Sequence, residues 1–102
     1  INVSPAEVEA ILMTHPDVEM AVVTGMPHPT RDEVLVAVVV PKAGRAPTSE
    51  LLRLFCRNNL AAYKVPVVFA FCAEGALPLT TTGKVQKNQL AAHFFSDLKV
   101  GA

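Results

Sequence analysis

Apolar residues recur along this chain with two different periods, and the switches between them mark the elements. Val8, Ile11 and Leu12 fall on one side of a helix. They follow Ser4-Pro5-Ala6-Glu7, in which Ser4 suits the cap, Pro5 the first helical position and Glu7 the far end of a capping box, with Val3 and Val8 placed as a hydrophobic staple. His15 stands where a helix C-terminus favours a cation, and Pro16 ends the run. Val18 to Thr24 is valine-rich and stops at Gly25, which predicts a strand. Met26 to Asp32 holds two prolines and no apolar period, so a loop is expected there. Val34 to Val40 is apolar at every position, the pattern of a central strand covered on both faces, close enough to the first to pair antiparallel.

After a turn from Pro41 to Pro47 around Gly44, Thr48 is positioned to cap a second helix. Leu51, Leu52, Phe55 and Leu60 are expected on its buried face, and Arg57 near its C-terminal end. Val67 to Cys72 predicts a third strand. The run from Val85 to Leu98 predicts a last helix with Leu90, Phe94 and Leu98 at four-residue spacing, and residues 96 to 102 are expected to fray. The order helix-strand-strand-helix-strand-helix implies an α+β fold, a small mixed sheet of about three strands with helices packed on it.

Composition narrows the function classes. A chain of 102 residues is expected to form one domain, burying about 65% of its unfolded surface. The nine basic and nine acidic side chains cancel, so no nucleic-acid footprint is expected. No apolar run, the seven residues Val34 to Val40 included, approaches the ~20 residues of a membrane span. The two cysteines, Cys56 and Cys72, are read as buried free thiols of a reducing compartment, which implies a cytoplasmic protein. The histidines, His15, His28 and His93, have no metal-ligand spacing, so no metal site is expected. The chain opens Ile1-Asn2-Val3 without an initiator methionine or a signal-peptide pattern and is expected to be a piece of a longer polypeptide.

The chemistry concentrates in Leu77-Pro78-Leu79-Thr80-Thr81-Thr82-Gly83-Lys84-Val85. Glycine supplies positive φ for a tight turn, and the lysine after it is a compact charge on a flexible stem. A single positive charge is thereby presented beyond the domain surface, to a phosphate or carboxylate held by something else. Taken alone, the pentapeptide Thr80 to Lys84 is also an ordinary polar turn with a solvated lysine. It is not a Walker-type phosphate loop, which needs glycine where Pro78 stands and Ser or Thr where Val85 stands.

Four segments together resemble the C-terminal domain of AMP-forming acyl- and aryl-CoA synthetases, in the adenylate-forming superfamily with luciferases and peptide-synthetase adenylation domains. They are Asn2-Val3-Ser4-Pro5-Ala6-Glu7-Val8-Glu9; His15-Pro16-Asp17-Val18 with Ala21-Val22-Val23; Leu60-Ala61-Ala62-Tyr63-Lys64-Val65-Pro66; and Leu77 to Val85 with Lys87 and Leu90. Tyr63-Lys64-Val65-Pro66 with Thr82-Gly83-Lys84-Val85-Gln86-Lys87 looks more like the CoA ligases than the peptide synthetases. The loop after Gly25 departs from the family pattern at Pro27-His28 and Asp32-Glu33. The family's hinge motif, its glycine-containing CoA-tunnel loop and its large N-terminal ATP- and acyl-binding domain are absent from these 102 residues.

The resemblance implies a mobile C-terminal domain whose partner is its own N-terminal domain. The full enzyme would take ATP with Mg, CoA and a carboxylic acid as substrates, in a setting such as fatty acid metabolism, with none of these held by the fragment alone. The family's catalytic lysine falls on Lys84, whose charge draws carboxylate and α-phosphate together; Gly83 lets the turn approach the nucleotide, and Thr80, Thr81 and Thr82 hold the turn or reach phosphate oxygens. Lys64 is read as a solvated charge beside a turn, with a contact to a CoA phosphate or to the N-terminal domain as the functional alternative. Two other readings stay open: another adenylate former, such as a peptide-synthetase domain or an acyl-AMP ligase, and a non-catalytic binding module. In each case the isolated fragment is expected to be inactive.

Overall fold

The computed structural model describes residues 4–27, 30 and 33–95. The elements are α1 (Pro5–Leu12), β1 (Val18–Pro27), β2 (Glu33–Pro41), α2 (Ser49–Asn59), β3 (Val68–Phe71) and α3 (Lys87–Phe94), with short 3-10 turns at Ala62–Lys64 and Glu74–Ala76. The sheet order is β1-β2-β3. β1 and β2 pair antiparallel, and β2 and β3 pair parallel, so the sheet is mixed and the predicted α+β order holds.

β2 is central, as its unbroken apolar run predicts. Every residue from Val34 to Val40 is buried. Because successive strand side chains point to opposite faces, the run is divided between two cores. Leu35, Ala37 and Val39 join Val8 and Leu12 of α1, Leu52 and Cys56 of α2, and Phe69 of β3. Val36, Val38 and Val40 join Val22, Leu77, Leu90 of α3 and Phe95. Helices α1 and α2 therefore cover one face and α3 the other.

Local chemistry explains most element ends. Ser4 Oγ accepts the Glu7 amide at 3.3 Å and Thr48 Oγ1 accepts the Leu51 amide at 3.0 Å, so both expected caps form. Arg57 lies in the last turn of α2. The expected staple residue Val3, the expected helix residue Leu98, the expected fraying tail from Ser96 and the loop residues His28, Pro29, Arg31 and Asp32 lie outside the described residues.

Several expectations are corrected. Met26 and Pro27 continue β1 instead of forming a loop, because β2 is long enough to offer partners: Met26 pairs with Val34 and Pro27 with Glu33. Proline is tolerated there because β1 is an edge strand. β3 is shorter than Val67 to Cys72, although its flanks stay tethered through Val67 N to Leu35 O at 2.8 Å and Cys72 N to Val39 O at 3.1 Å. Leu51 is exposed, since the buried stripe of α2 runs through Leu52 and Cys56, one helical turn apart, with Phe55 and Leu60 half-buried beside it. His15 lies beyond the last turn of α1, which ends at Leu12; its Nδ1 accepts the Asp17 amide at 3.0 Å, and its ring packs edge-on against Phe55. Cys56 is buried, but Cys72 only half so. The last helix starts at Lys87, not Val85, because Val85 is used in a β-bridge to Leu79.

Leu90 is fully buried and pins α3 to the sheet. Leu90→Ala is expected to cost about 2–5 kcal/mol, read as a lower urea midpoint at unchanged m-value. Burial pushes the Cys56 thiol from 9.0 to about 11. The folded chain thus keeps a proton that the unfolded chain releases, and this contribution is fully present below pH 9.0 and lost as pH rises to about 11. The alkaline limb of a stability–pH profile is expected to be shallower in Cys56→Ala.

Candidate active site

The stretch from Leu77 to Lys87 leaves the core, turns and re-enters it. Leu77 is buried on the α3 face of the sheet, and Val85 packs against the same cluster. Between them the backbone closes a tight hairpin-like loop. Leu79 bridges Val85 antiparallel. Thr80 N donates to Lys84 O at 2.7 Å, Gly83 N to Thr80 O at 3.0 Å and Gln86 N to Pro78 O at 2.8 Å.

Side chains tighten the loop further. Thr80 Oγ1 accepts the Lys84 amide at 3.0 Å and lies 3.0 Å from Thr82 Oγ1. Thr80 and Thr82 therefore hold the turn, while Thr81 is exposed at its tip. Gly83 has φ +85°, and a Cβ there would meet nothing within 4 Å. Its requirement is conformational: only glycine adopts this backbone at no steric cost.

Lys84 is exposed, and among the described residues its ammonium has no hydrogen-bond or ion-pair partner. A rigid base thus carries one unneutralised charge on a long stem, suited to an anion brought from outside. Among the described residues, no group of three or more His, Cys, Asp or Glu side chains is placed to hold a metal ion. An open groove beside the ends of β2 and β3 includes Glu19, Pro41, Phe71, Cys72 and Glu74; it contains no part of the Thr80–Lys84 turn and no cation for a phosphate.

Lys64 is not the solvated charge that the sequence implied. Its Nζ lies 2.8 Å from Glu7 Oε1 and 5.7 Å from the centroid of the Tyr63 ring. The hydrogen bond to Glu7 raises its pKa above the ordinary lysine value. Glu7, expected to close the capping box, thus ties the 3-10 turn to α1 instead. Among the described residues, no hydrogen bond or ion pair joins Lys64 to the Lys84 turn.

Sequence reasoning overlooked Glu9. Its Oε2 accepts the Val23 amide at 2.8 Å and lies 2.8 Å from Lys87 Nζ. The available signal was an acidic residue on the flank of the Val8–Leu12 stripe, directly over the strand edge.

A family model described as the AMP-binding enzyme C-terminal domain matches residues 7–84. The chain belongs to this family. This AMP-binding C-terminal domain is 42% identical over 93 residues to an oxalate–CoA ligase of Arabidopsis thaliana, covering 91% of the chain and 18% of the relative. It is 47% identical over 89 residues to a 2-succinylbenzoate–CoA ligase of Geobacillus kaustophilus, covering 87% of the chain and 18% of the relative. Among solved structures it superimposes on the amide bond synthetase McbA from Marinactinospora thermotolerans with TM-score 0.82 at 36% identity, covering 89% of the chain and 18% of that protein. The domain thus spans about a fifth of the length of the proteins it matches. Among the described residues, no helix is long and apolar enough to cross a membrane.

Gly83 and Gly75 are both open to an added Cβ, but only Gly83 has positive φ. Gly83→Ala is expected to destabilise the domain by about 1–2 kcal/mol. Gly75→Ala is expected to stabilise it by about 0.4–1 kcal/mol by restricting the unfolded chain. Paired denaturant curves read both signs.

Proposed function

We propose that this chain is the mobile C-terminal domain of an AMP-forming acyl-CoA synthetase and that Lys84 supplies the catalytic charge for adenylation. The observation that carries this reading is the unpartnered, exposed Lys84 ammonium on a hydrogen-bonded turn, at the end of the segment that matches the family. In the first half-reaction a carboxylate oxygen attacks the α-phosphorus of ATP, and pyrophosphate leaves with its electron pair and Mg. Two anions must approach while negative charge grows on the phosphoryl oxygens. A preplaced ammonium in a water-poor cleft stabilises that transition state without reorganising at the moment of reaction. In the second half-reaction the CoA thiolate attacks the acyl carbon and AMP departs, leaving a thioester.

ATP, Mg, CoA and the acid are substrates held mainly by the N-terminal domain, which is the partner of this one. A rigid-body rotation of the C-terminal domain carries Lys84 in for adenylation and out for thioester formation. Thr80 and Thr82 keep the turn stiff, Gly83 permits its shape, and Thr81 is left free at the tip to meet a phosphate oxygen. Lys64, engaged by Glu7, is available to a CoA phosphate or the N-terminal domain only if that pair opens.

The likeness to an amide bond synthetase favours a second reading, in which the same adenylation serves an acceptor other than CoA. The product formed by the full-length enzyme from acid, ATP and either CoA or an amine separates the two. In both readings Lys84→Ala in the full-length enzyme is expected to lower acyl-AMP formation by about 10²–10³, followed as ATP–pyrophosphate exchange. The 102-residue chain alone is expected to show no exchange. Unchanged exchange in Lys84→Ala would leave the domain as a non-catalytic binding module.

A further inference from the structure

The Lys84 turn stands outside the core, so something must fix where it points. Its apolar anchors, Leu77 before it and Val85 after it, hold its base to the α3 face of the sheet. Such contacts are non-directional and leave the turn free to tilt. A directional contact sits three residues beyond Lys84. Lys87 is the first residue of α3, and its Nζ meets Glu9 Oε2 at 2.8 Å. The same oxygen accepts the Val23 amide at 2.8 Å.

Glu9 belongs to α1 on one face of the sheet, Lys87 to α3 on the other, and Val23 to the edge strand β1 between them. Among the described residues this is the ion pair that joins the two helical layers. The Glu9 side chain is only 17% exposed and is locked to backbone, so it is a fixed anchor, whereas Lys87 is 42% exposed. A half-exposed pair adds little to stability. What a charge-assisted contact to a backbone-locked carboxylate does add is direction.

We propose that Glu9 and Lys87 form a positioning strut that fixes the Thr80–Lys84 turn to the body of the domain and thereby sets where the Lys84 ammonium stands during adenylation. The inference rests on the adenylation reading of Lys84. Neither residue touches substrate. Their effect passes through the short segment Val85-Gln86, whose backbone is already tied by Gln86 N to Pro78 O. Displacing a catalytic charge by about 1 Å can cost on the order of 10²-fold in rate.

The test uses the full-length enzyme with Glu9→Gln, Lys87→Gln, Lys87→Arg and, in parallel, Lys84→Ala. Glu9→Gln keeps an acceptor for Val23 and removes the charge that holds Lys87. Amide hydrogen exchange across residues 80–86 needs no substrate; Glu9→Gln and Lys87→Gln are expected to speed it about tenfold, with global unfolding unchanged and Lys87→Arg close to wild type. Kinetics use whichever of oxalate, 2-succinylbenzoate, octanoate or palmitate the wild-type enzyme turns over best. There the two Gln variants are expected to lower kcat for acyl-AMP formation about 10- to 100-fold with KM for ATP little changed. Consumption of preformed acyl-AMP by CoA is expected to be unaffected, and Lys87→Arg to restore most of the loss. Wild-type exchange across 80–86 in both Gln variants overturns the strut, and faster exchange with unaltered kcat overturns its positioning role. Full adenylation by Lys84→Ala overturns the catalytic reading of Lys84 instead, and with it the positioning role, while faster exchange in the Gln variants would keep the strut as a purely structural tie.

Discussion

Burial of β2 on both faces is the constraint on which the other parts depend. Seven consecutive apolar residues, Val34 to Val40, cannot be satisfied by a single covering layer, because alternate side chains leave the strand in opposite directions. Two layers are therefore needed, α1 with α2 on one side and α3 on the other. The chain must pass from the first layer to the second after β3, and it has already reached the α3 face at Leu77, from which the Thr80–Lys84 turn loops out and returns at Val85. The turn lies at the surface because both of its ends are needed in the core: Leu77 and Val85 pack there, and the residues between them span the gap.

This placement suits a charge that has to act on a partner. A buried lysine would demand a counter-ion and lose its availability. A lysine on a disordered loop would be too loosely placed to gain from preorganisation. The structure avoids both. Backbone hydrogen bonds and Thr80 stiffen the loop, Gly83 allows its shape, and the carboxylates of Glu7 and Glu9 are engaged by other lysines. Glu7 is taken by Lys64 and Glu9 by Lys87, so two lysines are neutralised while Lys84 keeps its field.

Much of this was legible along the chain because it depends on local rules. The Ser4 and Thr48 caps, the stripe at Val8 and Leu12, the unbroken run of β2 and the need for glycine before Lys84 follow from neighbours within a few residues. The errors arose where distant partners decided. Met26 and Pro27 joined β1 because β2 had ladder positions to offer. Leu51 turned outward because the Leu52–Cys56 stripe already filled the contact with the sheet. Val85 left the helix for a bridge to Leu79.

The amino-acid sequence by itself determined the elements, their order, the centrality of β2 and the residues of the turn, since periodicity, capping and φ preference act over one or two turns of chain. The tertiary structure alone decided which charges are spent and which is kept. Glu7 and Lys64 are 57 positions apart and meet only because α1 and the 3-10 turn pack on the same side. Glu9, Val23 and Lys87 meet only because two helical layers close around one strand edge. Coulombic and hydrogen-bond energies depend on separation in space, and no local pattern in a chain carries that distance.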